Sequence, residues 1–139
     1  MSVFDTIRIA ASGLTAQRLR MDIAASNLAN AQTTRTQNGQ AGQPYQEEAV
    51  VFQAQQMGPM AGAQGVSAVA VVKSTRPNTR VYDPGNPDAD QNGFVNYPNV
   101  DVASEMTDMM GAARSYQVNA TVAQAAKQQA LDALDLGKA

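Results

Sequence analysis

Apolar side chains recur every seventh residue near both ends of this chain, and every second residue in parts of its middle. In the first stretch one row is Ile7, Leu14, Met21 and Leu28. Phe4, Ala11 and Ala25 begin a second row, which Arg18 interrupts. This pattern predicts a helix over 3–31. A repeat of seven rather than 3.6 favours a coiled-coil seam over a simple surface helix. Gly13 reads as a weak point inside that helix. Towards the other end, one row is Val102, Met109, Tyr116, Ala123 and Ala130. The other is Met106, Ala113, Ala120, Lys127 and Leu134, with Lys127 its single charge. A second helix over 101–136 follows, capped by Asn99 or Asp101 and ended by Gly137. The Lys127 stem is expected to lie along the seam with its ammonium at the edge.

Between these helices the pattern changes. Candidate strands are Ala49–Gln55, Val66–Lys73, Thr79–Tyr82 and Phe94–Tyr97. In the second of them apolar residues fall at both alternating sets of positions, which fits a strand covered on both faces. Met57-Gly58-Pro59-Met60-Ala61-Gly62 and Asp83-Pro84-Gly85-Asn86-Pro87 carry turn chemistry. Residues 35–44 and 57–65 are expected to be mobile in the free chain. The expected fold is therefore α+β. Terminal helices pair antiparallel as a coiled-coil-like core, with a small β-rich insertion between them. In domain terms, 1–34 with 100–139 form the helical part, and 35–99 form the insertion with its loops.

The outward faces of the helices change this picture. They carry Gln17, Ser26, Asn27, Asn30, Gln117, Asn119, Thr121, Gln124, Gln128 and Gln129 among many alanines. A solvated helix ordinarily interleaves Glu with Lys. An uncharged, small-residue surface instead suits close packing against further helices. A lone pair of helices collects little core, so the ends are expected to order fully only on joining neighbours.

Composition removes several functional classes. At 139 residues the chain is one domain's worth. A net charge of −2, from 10 basic and 12 acidic residues, provides no footprint for nucleic acid. There is no histidine and no cysteine, so the commonest general base and the commonest metal ligands are missing. No stretch is long and apolar enough to span a membrane. The N-terminus lacks the basic and apolar regions of a cleaved secretory signal.

Two clusters imitate chemical sites. Asp88-Ala89-Asp90-Gln91-Asn92-Gly93 resembles the first half of a calcium loop, but Asn99 stands where that loop needs a bidentate glutamate. A turn held by Asp and Asn side chains is the expected reading, with no metal and no cofactor. Glu47 and Glu48 are adjacent on a strand edge, so they point to opposite faces and read as solvated surface. No catalytic residue is expected, and the chain is not expected to be an enzyme.

Three segments together resemble a known family. Ala25-Ser26-Asn27-Leu28-Ala29-Asn30-Ala31-Gln32-Thr33-Thr34 looks like the N-terminal signature of flagellar rod and hook proteins. Ala10-Ala11-Ser12-Gly13-Leu14 and Arg18-Leu19-Arg20-Met21 fit the same pattern. The run Asp83-Pro84, Pro87-Asp88-Ala89-Asp90, Gly93-Phe94-Val95 and Pro98-Asn99-Val100-Asp101 resembles the FlgC branch of proximal rod proteins. Glu105-Met106, Met109, Ala113-Arg114-Ser115-Tyr116 and Asn119 resemble the family's second helix. Residues 53–70 match least.

This resemblance implies a structural subunit of the bacterial flagellar basal body. It implies assembly into a hollow helical shaft that crosses the periplasm and transmits torque. Export through the flagellar type III apparatus, without a cleaved signal, is implied as well. Implied partners are other copies, other rod proteins and a FliE-type basal-body protein. From the residues alone, a small helical-hairpin adaptor binding a single partner remains the alternative. Packing is expected to rest on Ile7, Leu14, Met21, Leu28, Val102, Met106, Met109, Ala113, Tyr116 and Ala120. The family motif is carried by Asn27, Asn30, Asp83, Pro84, Pro98, Asn99, Glu105, Arg114 and Asn119.

Overall fold

The computed structural model describes residues 3–35, 43–57 and 62–137. Most of the stretches expected to be mobile, and the turn at 58–61, lie outside the described residues. The element order is α1 (Val3–Ala29), β1 (Glu48–Gln56), β2 (Gln64–Lys73), β3 (Thr79–Tyr82), β4 (Phe94–Tyr97) and α2 (Val102–Leu136). Three of the four helix ends have a local cause. Asp101 starts α2, its carboxylate accepting from the backbone N–H of Ala103 at 3.0 Å and of Ser104 at 3.5 Å. Asn30 stops α1: its side-chain amide donates to the Ser26 carbonyl at 2.9 Å, and the Thr33 hydroxyl donates to its Oδ1 at 3.2 Å. Gly137 closes α2 in a right-handed conformation, donating back to the Ala133 carbonyl at 3.2 Å.

The helices pair antiparallel. Asn27 meets Glu105, Arg20 meets Asp108, and Gly13 meets Asn119. This register places the start of α1 beside the residues near Gln129, so α2 from Leu131 onward runs past it. β1 and β2 form one antiparallel hairpin, with a bulge between Val51 and Phe52. It lies along α1, docked by Ser12, whose Oγ accepts from the Val66 N–H at 3.1 Å. β3 and β4 form a second antiparallel pair. Among the described residues this pair packs on neither helix. It is tied instead to the segment after α1, where Thr34 Oγ1 donates to Asp88 Oδ2 at 2.6 Å and Arg35 pairs with the same carboxylate.

The seam between the helices is made of small residues. On α1 the buried positions include Ala10, Gly13, Ala16, Ala24 and Asn27. On α2 they are Glu105, Ala112 and Ala126, and Asn119 completes a row at seven-residue spacing. That row stands one residue before the expected Met106, Ala113, Ala120 and Lys127. Lys127 accordingly stands exposed, not along the seam. The cause is close approach. A Cβ on Gly13 would stand 2.6 Å from Asn119 Nδ2, so the Asn119 side chain sits where any side chain at position 13 would have to go. Gly13, which reads as a weak point in sequence, is where α1 receives the Asn119 side chain of α2.

Gly13→Ala is therefore expected to lose stability, by about 1 kcal/mol, despite alanine's better helix propensity. Pairing it with Asn119→Ala removes the clash and should recover most of the loss. Denaturant titration of the two single variants and the double variant measures the coupling. Strictly additive losses would show that the contact does not govern the seam.

Candidate functional site

The fold offers two features with functional content: a polar junction where α1, α2 and β1 meet, and the apolar surface left outside the seam.

Asn27 is the centre of the junction and is 1% exposed. Its Nδ2 donates to the Glu48 carbonyl at 2.8 Å and to Glu105 Oε2 at 3.1 Å. Its Oδ1 accepts from the Glu48 N–H at 2.9 Å and from the Tyr45 hydroxyl at 2.8 Å. One amide thus fills its full hydrogen-bonding capacity. It fixes the first residue of β1 against both helices. Around it, burial pushes the Tyr45 phenol up, and burial also pushes the Glu105 carboxyl up. Glu47, expected to be solvated surface, is half-buried and lies against Glu105. Glu47 and Glu48 both line a groove beside Glu105, where the alternation rule expects them on opposite faces. What it could not show is that the Glu47 side lies over the start of α2.

The calcium-like segment has other work. Asp88 is bound by Arg35 and Thr34, which hold its carboxyl below the ordinary 3.8. Asp90 Oδ1 accepts from the Asn92 N–H at 2.8 Å and the Phe94 N–H at 2.9 Å, while Arg80 donates to its Oδ2 at 2.8 Å. These bonds shape the β3–β4 turn. The expected turn reading describes Asp90 well. Asp88 departs from it, because its side chain reaches across the fold to the end of α1.

The other motif residues fall in these same places. Pro98 is buried before the α2 cap, while Asp83 and Asn99 are half-buried and Pro84 is exposed. The Asp83 N–H closes the turn on the Gly93 carbonyl at 2.9 Å. Asn119 fills the seam at Gly13. Arg114 is exposed, and nothing in the fold explains it.

Two family models match the segments that build this architecture. Residues 7–36, which hold most of α1 and the Asn27–Thr34 run, match the flagella basal body rod protein family. Residues 91–136, which hold β4 and α2, match the C-terminal family of flagellar basal body rod FlgEFG proteins. The flagellar basal-body rod protein FlgC of Escherichia coli O6:H1 (strain CFT073) is 46% identical over 138 residues, covering 99% of this chain and 100% of that protein. The chain belongs to the FlgC family of flagellar basal-body rod proteins. FlgC of Salmonella typhimurium (strain LT2) is 45% identical over the same shares. FlgC of Bacillus subtilis (strain 168) is 38% identical, again over 99% of this chain and 100% of its own length. As a member of the FlgC family, the chain is a structural subunit of the basal-body rod.

In that light the position of the large apolar residues matters. Of the packing residues expected from sequence, Ile7, Leu14, Met21, Leu28, Met109 and Ala120 are half-buried along the rim of the seam. Val102, Met106, Ala113 and Tyr116 are exposed. Met110, Val118 and Leu134 are exposed too, at 63%, 57% and 63%. Within one chain, then, the fully buried apolar positions of the two helices are alanines, and several large apolar side chains remain on the outside. No helix among the described residues is long and apolar enough to cross a membrane.

Proposed function

We propose that this FlgC-family chain builds the proximal rod by packing the outer faces of α1 and α2 against copies of itself and against other rod proteins. The observation that carries the reading is the unusual division of the helix surfaces. Small residues lie inside the pair, while Met106, Met110, Val118 and Leu134 lie outside. Burial of one such side chain contributes roughly 1.5–3 kcal/mol, so contacts repeated around each subunit sum to a stiff shaft. Residues 1–34 with 100–139 form the assembling unit, and 35–99 form an outer region fixed to it at Asn27. A FliE-type basal-body protein and the flagellar type III export apparatus are the further partners. The rod lies in the periplasm and the chain reaches it without a cleaved signal. Its task is mechanical, a hollow shaft transmitting torque, and no reaction is catalysed.

The natural chain contains no cysteine, which allows a direct test. Single cysteines at Met110 and Val118 should cross-link to neighbouring subunits in isolated basal bodies and leave the free chain monomeric. Basal bodies that contain the chain but show cross-links from neither position would overturn the reading. A one-to-one complex with a single soluble partner would support the adaptor alternative instead.

A further inference from the structure

Two residues of α2 have no task within the single chain. Arg114 is exposed and forms no ion pair among the described residues. Gly111 stands inside the helix, where glycine is less favourable than alanine. At Gly13 the Asn119 side chain accounts for the glycine, but a Cβ on Gly111 would meet nothing within 4 Å. The space over Gly111 is open to a group from outside the chain. Ala112 is fully buried in the seam. Met110 and Arg114 stand two residues to either side of it, which turns both to the face of α2 away from α1, about 160–200° round the helix. They are neighbours four residues apart, and Gly111 lies beside Arg114 at a spacing of three.

A groove of about 360 Å³ between α1, α2 and β1 has the complementary chemistry. Ile23, Val50 and Phe52 make it partly apolar. Glu47, Glu48, Glu105 and Asp108 bring carboxylates to it, with Arg20 as its cation. Arg20 is engaged by Asp108 at 2.8 Å. Glu47, Glu48 and Glu105 form no ion pair among the described residues. Glu105 is only 8% exposed, and its Oε2 accepts from Asn27, a neutral donor. The groove thus holds apolar surface and an excess of carboxylate, in a space that takes the ends of side chains. It opens on the α1 side of α2, so Arg114 of the same chain, on the opposite face, does not reach it.

We propose that this groove receives Met110 and Arg114 of a second copy, the methionine against Ile23, Val50 and Phe52 and the guanidinium against Glu47 and Glu105. Gly111 lets the neighbour come close beside them. This contact rests on the reading that copies pack through the outer faces of their helices, and it names one such face and what it meets. Charge complementarity selects the occupant: one surface has a cation without an anion, and the other has anions without a cation. A guanidinium also suits carboxylates better than a point charge does, because its donors are arranged as a fork. The α2 face and the groove are different surfaces, so the contact is heterologous. Repeated from copy to copy, it builds a ring or an open helix and not a closed dimer.

The test uses the full chain in isolated basal bodies. A chain carrying both Glu47→Cys and Arg114→Cys should give a ladder of disulfide-linked copies on oxidation, and neither single variant should. Charge exchange provides the second arm. Arg114→Glu and Glu47→Arg should each lower the number of assembled rods by about tenfold or more, since each sets like charges together. The chain carrying both changes should recover most of that loss. Circular dichroism of the free chains checks that each variant is folded. A double-cysteine chain that gives no ladder overturns the proposal. So do dimers from Arg114→Cys alone, which would show α2 faces meeting each other, and so does a motile strain carrying Arg114→Glu. Cross-links from cysteines at Met110 or Val118, with none between positions 47 and 114, would strike this contact and leave the wider reading of assembly standing.

Discussion

Asn27→Asp should destabilise the isolated chain by about 3 kcal/mol or more at neutral pH, and acidification should restore part of the loss. The substitution keeps the shape and removes both donated bonds, to the Glu48 carbonyl and to Glu105. It also sets a second carboxylate against Glu105 at a position that is 1% exposed. Desolvation and the like charge both raise the pKa of the new aspartate in the folded state, so stability returns as pH falls and its proton is taken up. Asn27→Leu is the control. It leaves Glu105, the Glu48 backbone and the Tyr45 hydroxyl without their partner, at a similar cost, but adds no titrating group. Denaturant titrations at two pH values separate the variants. A loss under about 1 kcal/mol in both would mean that the junction does not hold β1 to the helices.

The same residue shows what sequence could and could not convey. The strands appear within two residues of their expected bounds, because alternation and turn chemistry are local properties. The N-cap at Asp101 is local too. The sequence places Asn27 on the outward polar face and in a family motif, whereas the fold buries it. Its role depends on Glu48 and Glu105, which are distant in sequence. The seam was misplaced by one residue on α2 for a related reason. Apolar residues at heptad spacing point to Met106, Ala113 and Ala120. The chain instead buries Glu105, Ala112 and Ala126, and the Asn119 side chain takes the space that a side chain at Gly13 would fill. Exclusion by size depends on the partner helix and leaves no periodic signature of its own. One signal was available. Glycine in the middle of a long helix disfavours it by about 1 kcal/mol relative to alanine, and a helix that keeps one commonly has a close neighbour there.

Met110→Asp should abolish rod assembly and motility while leaving the free chain folded. Met110 is 63% exposed, so placing a charge there removes little packing within the subunit. A surface substitution of this kind changes stability by about 0.5 kcal/mol or less. In an assembled shaft the same carboxylate would be buried between apolar neighbours without a partner, which costs several kcal/mol at each copy. Ala112→Asp provides the contrast from two residues away. Ala112 is 0% exposed and lies in the seam, so its replacement should unfold the helix pair before assembly is reached, with a loss of about 3–5 kcal/mol. Leu14→Asp, at the half-buried rim, should disturb both and discriminates less. Circular dichroism and denaturant titration of the purified variants report the fold, and swimming assays with electron microscopy of basal bodies report assembly. A motile strain carrying Met110→Asp would remove this face from the contacts that build the rod. A Met110→Asp chain that unfolds like Ala112→Asp would show that the methionine supports the subunit itself and not its neighbours.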